Sequence, residues 1–117
     1  MQYTNTPMGI TKTAHFTDAQ NHLALQLKAL AHPARIAILE FLLKTDSCIC
    51  GDIVNELPLS QATVSQHLKE MKNAGIIKGT IEGNAICYCI DQDHFNQLTH
   101  QMNLINHQLM KKNNQCC

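Results

Sequence analysis

Tryptophan is absent from the 117 residues, and only three phenylalanines and two tyrosines are present. A core without large rings has to be filled by Leu, Ile, Val, Met and Ala. An excess of charge of one sign is missing too: nine Lys and Arg balance nine Asp and Glu. That excludes the broad basic footprint of many nucleic-acid binders, although a two-fold dimer can still concentrate charge locally. Arg35 is the single arginine. No apolar run approaches the roughly 20 residues of a membrane span, so no membrane segment is expected. The first residues, MQYTNTPMGITKTAHF, lack a basic region followed by an apolar core, so no signal peptide is expected either. The redox spacing C-x-x-C is absent, as are a phosphate-cradling glycine loop and a recognisable nucleophile–base pair. Nothing in the chain therefore calls for an enzyme, and no organic cofactor is expected.

What is present is enough for one small domain, with 44% hydrophobic residues. Residues 1–16 are polar, without a clear period, and read as an arm. The domain is expected over 17–113, with a cysteine-ended tail at 114–117. Asp18 can cap a first helix running to about Ala31, with Leu23, Leu27 and Leu30 on one face. His32-Pro33 starts a second helix, since proline at the first helical position loses no hydrogen bond. That helix, PARIAILEFLLK, is nearly apolar all round and should be central. Arg35 lies in its first turn, where the helix dipole disfavours a cation, so it needs a partner: a nearby carboxylate or a DNA phosphate. A turn at Thr45–Ser47 leads to a short helix from about Cys50 to Leu57.

The next stretch, PLSQATVSQHLKEMKNA, is the most informative. Ser60 is a good N-cap, Val64, Leu68 and Met71 make a buried stripe, and Gly75 ends the helix. The opposite face carries Gln61, Thr63, Ser65, Gln66, Lys69 and Lys72. Such side chains can hydrogen-bond base edges and meet phosphates. A short helix, a tight turn and this helix read as a helix-turn-helix. Strands over 76–81 and 85–90, joined at Glu82-Gly83-Asn84, follow as a hairpin wing. Asp91 caps a last helix whose Phe95, Leu98, Met102, Ile105 and Leu109 recur at 3, 4, 3 and 4 residues. That seam is expected to pair with a second copy of the chain. The fold class is thus mainly α with a small β-hairpin wing: a winged helix-turn-helix dimerising through terminal helices.

The strings LKALAHPARIAIL, SQATVSQHLK and NAGII, with Tyr88 in the second wing strand, resemble the ArsR/SmtB family of winged-helix repressors, in order and spacing over residues 23–91. The resemblance implies a cytoplasmic homodimer held on double-stranded operator DNA until an inducer binds. Inducers in the family are metal ions, metalloids or reactive sulfur species. Carried onto this chain, the DNA readers are Ser60, Gln61, Thr63, Ser65, Gln66, His67 and Lys69, with the wing tip at Glu82–Asn84. That tip is often basic in the family; here it is Glu-Gly-Asn, which weakens the case for a wing contact.

Six cysteines form three close pairs: Cys48/Cys50, Cys87/Cys89 and Cys116/Cys117. In a cytosolic chain they are expected to be reduced. Cys48-Ile49-Cys50 resembles the Cys-x-Cys of arsenic- and cadmium-sensing members, and thiolates suit thiophilic ions such as arsenic(III) or antimony(III). On a regular helix, residues i and i+2 point about 200° apart, so joint ligation requires an unwound or extended helix start. Arsenic(III) normally takes three thiolates, and Ile53 stands where the family's third cysteine often falls. The third ligand has to come from Cys116, Cys117 or the wing pair. Cys87 and Cys89 share one strand face, where they can hold an ion or simply pack. Two alternatives use the same fold: a thiol or reactive-sulfur sensor, and a zinc- or nickel-type sensor on the last helix. Registered on Asp91, that second set is Asp91, Asp93, Leu104, His107 and Met110, broken by Leu104 and Met110. His94, His100 and His107 remain, with flanking the seam as their simpler role.

Overall fold

The computed structural model describes residues 15–45, 49–50, 52–83 and 85–112; of Ile49, Cys50, Asp52, Val54, Glu82 and Ala85 it describes the backbone. Most of the arm, Cys48, Asn84, and the tail cysteines Cys116 and Cys117 lie outside the described residues.

Helix α1 spans Asp18–Leu30 and is capped one residue earlier than expected. Thr17 Oγ1 accepts from Gln20 N at 3.0 Å, while Thr17 N donates to Gln20 Oε1 at 2.9 Å. This reciprocal pair satisfies two orphan donors, which Asp18 as the cap would not. The inward face of α1 also differs from the leucine stripe. Gln26 and Ala29 are buried and Leu27 is exposed. The cause is tertiary: Gln26 Nε2 donates to the His94 carbonyl at 3.3 Å, so a polar residue faces in.

Helix α2, Pro33–Leu43, is capped by His32, whose Nδ1 accepts from Ala34 N at 3.0 Å. It is the expected apolar helix, and it buries Ile38 and Leu42, while Ile36 and Leu43 remain exposed. Strand β1, Ile49–Cys50, comes next, where a helix start was expected. It pairs antiparallel with the second wing strand, Ile49 opposite Tyr88 and Cys50 opposite Cys87. Two residues carry no period, and their pairing partner lies far along the chain, so the strand had no local signature.

Helix α3, Asp52–Glu56, and helix α4, Gln61–Asn73, form the helix-turn-helix. Ser60 caps α4 as expected, its Oγ accepting from Thr63 N at 3.2 Å. The far end is a Schellman closure: Gly75 N donates to the Lys72 carbonyl and Ile76 N to the Met71 carbonyl. Gly75 sits at φ +79°, and a Cβ there would stand 3.3 Å from the His94 ring, so conformation and space both require glycine. Strands β2 (Ile77–Glu82) and β3 (Ala85–Ile90) pair antiparallel, from Ile77 opposite Ile90 to Glu82 opposite Ala85. The two-residue loop begins at Gly83, φ +63°, as tight hairpin turns demand. With β1 added, the sheet order is β1-β3-β2, three strands where two were expected.

Helix α5, Gln92–Lys111, is capped by Asp91, whose Oδ1 accepts from His94 N at 3.3 Å. Its seam divides in two. Leu98 is buried and Phe95 packs against the same core. Met102, Ile105 and Leu109 are 44%, 54% and 58% exposed. The core itself gathers Ile38, Ile53, Val64, Leu68, Met71, Ile76 and Ile77 from three helices and the sheet with its approach, so α4 is held from beneath.

Candidate nucleic-acid interface and thiol site

Helix α4 has two chemically distinct sides. Val64, His67, Leu68 and Met71 are buried, while Gln61, Thr63, Ser65, Gln66, Lys69 and Lys72 are exposed. The exposed side is therefore a fixed polar surface on a rigid support. Ser60 and Thr63 are tied together, Ser60 Oγ donating to Thr63 Oγ1 at 2.9 Å. Gln66 Nε2 donates to Glu70 Oε1 at 3.3 Å, which steadies its side chain against the next turn of the helix.

His67 corrects the expected set of readers. It is 8% exposed and lies on the inner stripe, three residues after Val64 and four before Met71. Its Nδ1 accepts from Arg35 Nε at 2.9 Å, and its ring stands against that of His32 with centroids 4.5 Å apart. Arg35 Nη1 also donates to the Ala29 carbonyl at 3.1 Å. Among the described residues Arg35 is met by an imidazole and a helix-end carbonyl, not by the carboxylate that was one of its two expected partners. The carbonyl end of α1 offsets the unfavourable position of Arg35 at the start of α2.

Burial, then the charge of Arg35, then His32, hold the His67 pKa below its ordinary value. A lowered pKa in a base means that the unfolded chain binds its proton first as pH falls. Stability is then fully present above the unfolded value of about 6.5 and declines below it, down to the folded pKa. We expect the melting temperature to drop between pH 7.5 and pH 5.5, with His67→Gln flattening that slope. Equal slopes in the two proteins would remove His67 as the cause.

At the start of α5, Asp91 Oδ2 lies 2.8 Å from His94 Nδ1. Burial pushes the Asp91 carboxyl up, but hydrogen bonds from the His94 side chain and backbone, with the charges of His94 and Lys78, outweigh it and leave the pKa lowered. The His94 ring also stacks near His22, at 6.4 Å between centroids. Asp91 is thus engaged by His94 within its own helix start. A cleft between α1 and α5 is lined by Asp18, His22, Asp93 and His100 among others. Among the described residues of one chain, no three His, Cys, Asp or Glu come together as ligands.

The cysteines are placed as follows. Cys50 lies on β1, on extended backbone, which is one of the two backbone states that joint ligation with Cys48 requires. Cys87 is fully buried and disulfide-bonded, which departs from the expectation that all six are reduced. Cys89, two residues on, is half-buried. At the wing tip, Ile81 and Ile86 face each other across the hairpin and are 82% and 49% exposed.

A helix-turn-helix followed directly by an antiparallel wing, on a core closed by a long last helix, defines a winged helix-turn-helix protein of the regulatory type. The model of the arsR family of bacterial regulatory proteins matches residues 32–78. The chain is 39% identical over 77 residues to a cadmium resistance transcriptional regulatory protein, CadC homolog, from Staphylococcus aureus; the match covers 65% of this chain and 63% of that protein. It is 39% identical over 72 residues to an HTH-type transcriptional regulator of Methanocaldococcus jannaschii, covering 61% of this chain and 80% of the relative. Its fold is similar to that of an ArsR-like transcriptional regulator from Rhodococcus sp. RHA1, with TM-score 0.70 and 21% identity over 81% of this chain and 89% of that one. The chain belongs to the ArsR family of transcriptional regulators. It spans just under two thirds of the length of the cadmium resistance regulator it matches.

Proposed function

We propose that the protein is a dimeric, cytoplasmic repressor that binds operator DNA through α4 and leaves it when a thiophilic ion, of the arsenite or antimonite type, is held by Cys48 and Cys50. The observation that carries the DNA half of this reading is the two-sided build of α4: its polar row is exposed while its other side is locked into the core. Ser60, Gln61, Thr63, Ser65, Gln66 and Lys69 are the proposed readers. Glutamine suits adenine edges, hydroxyls suit either base type, and lysine suits phosphate or guanine. The sensing half is supported by the soft Cys-x-Cys placed directly before α3, and by the cadmium named in the relative from Staphylococcus aureus.

Operator binding followed by fluorescence anisotropy tests both halves. The reduced protein is titrated on its promoter DNA, then with arsenite, antimonite, cadmium, zinc and a persulfide donor in parallel. Release by arsenite or antimonite is expected, and Cys48→Ser and Cys50→Ser are each expected to bind the operator normally and resist release. Gln66→Ala is expected to lower the preference for operator over mismatched DNA by about 1–3 kcal/mol. Unchanged selectivity would take Gln66 out of the reading set.

A thiol sensor on the same fold is the second reading, favoured by the disulfide at Cys87. Release by the persulfide donor alone would select it. Zinc or nickel sensing by the last helix has less support, because Asp91 is already engaged by His94.

A further inference from the structure

We infer that Cys87, in the wing, donates a thiolate to the same ion as Cys50, so that the bound metalloid bridges β1 and β3. The inference rests on the sensing half of the function proposed above. It names a ligand that the Cys-x-Cys pair alone does not supply.

Two observations carry it. The β1–β3 register sets Cys50 directly opposite Cys87. Directly opposed residues of an antiparallel pair have their Cβ atoms about 4.5–5.5 Å apart, within reach of a common sulfur-bridging atom. Cys87, fully buried, is also disulfide-bonded, so its sulfur already meets that of another cysteine. A sulfur that already meets another cysteine's can, once reduced, share one soft ion with a thiolate brought opposite it by the strand register.

Burial selects the class of ion. A trivalent metalloid bound by three thiolates carries no net charge, whereas a divalent ion bound by three or four thiolates leaves an anion. An uncompensated charge at a fully buried position is costly, so the neutral complex fits Cys87 best. The reaction balances without an oxidant. A thiol reductant first opens the disulfide, its own thiols becoming a disulfide. Arsenous acid then loses one hydroxide as water for each thiol proton. Two waters leave as Cys50 and Cys87 bind, and a third leaves as a neighbouring cysteine of either Cys-x-Cys pair completes the trithiolate. Oxidation of the same dithiol by a peroxide, which is reduced to water, would close the site to the ion.

The geometry also says why such a site would act on DNA binding. β1 precedes the helix-turn-helix and β3 is the central strand of the sheet that carries the wing. An ion joining them fixes the wing relative to the segment that leads into α3.

The test uses the full chain, reduced by a phosphine, with arsenite as the probe. X-ray absorption at the arsenic edge is expected to count three sulfurs in the wild type and two in Cys87→Ala. Arsenite affinity, read through operator release, is expected to fall roughly tenfold or more in that variant. Melting temperature and ion-free operator binding serve as folding controls. Three sulfurs and unchanged affinity in a folded Cys87→Ala overturn the inference while leaving the Cys48/Cys50 reading standing. A wild type that binds no arsenite overturns both. If Cys87→Ala does not fold, peroxide-treated wild type decides by peptide mass spectrometry. A Cys50–Cys87 crosslink supports the bridge, and crosslinks only within a Cys-x-Cys pair or the tail pair exclude it.

Discussion

Ile105→Asp is expected to shift the protein in sedimentation velocity from twice its 13.1 kDa chain mass to that mass alone. The reason lies in how the seam of α5 divides. Leu98 and Phe95 are used by the chain's own core, while Met102, Ile105 and Leu109 stay half exposed or more, with Leu104 and Met110 beside them. One free helix face carrying this much apolar side chain is the kind of surface that an obligate partner covers. A charge placed at its middle cannot ionise cheaply once a second copy closes over it. Operator affinity should fall with the dimer, because each chain presents one α4 and the second contact is then no longer intramolecular. A loss on the order of a hundredfold is expected. The folded chain itself should be unharmed, since Ile105 is 54% exposed and makes no part of the monomer core. An intact dimer would move the interface to another face, with the exposed Leu25 and Leu27 of α1 next in line.

The parts of this fold that were legible in the sequence are those set by neighbours along the chain. Ser60 as a cap, Gly75 as a terminator, the Val64–Leu68–Met71 stripe and the hairpin turn each need only a few residues to declare themselves. What was not legible depends on contacts between distant segments. β1 exists only because β3, nearly forty residues later, offers it a ladder. Gln26 and His67 face inward because a carbonyl on α5 and a guanidinium on α2 wait there, so polarity misdirected the reading of His67 and the leucine stripe that of α1. For His67 a signal was available: helical period alone puts it with Val64, Leu68 and Met71, and weighting period above polarity would have found it. For the thiol site, Cys50 and Cys87 looked like members of separate pairs. Only the strand register brings them opposite each other.

The second large effect is expected from Met71→Ala, a change on the hidden side of α4. Met71 is fully buried in the core shared by α2, α3, α4, β2 and α5, and its carbonyl accepts the Ile76 N–H that closes the helix. Truncating a buried methionine costs about 2–5 kcal/mol, from lost apolar transfer and the cavity left behind. A small domain has only about 5–15 kcal/mol in total. The urea midpoint should therefore move sharply downward with the slope of the transition unchanged, and the melting temperature should fall by roughly 10 °C or more. The comparison that gives this result meaning is Gln66→Ala, on the opposite side of the same helix. Gln66 is exposed, and its one side-chain bond, to Glu70, is also exposed, so its loss should leave the urea midpoint almost unmoved. Stability lost at Met71 with operator selectivity kept in the remaining folded protein, and the reverse at Gln66, would separate the two sides of α4 into support and readout. If Met71→Ala instead melts like the wild type, the helix is not anchored where the structure anchors it. The fixed polar row on its outer face would then lose its physical basis.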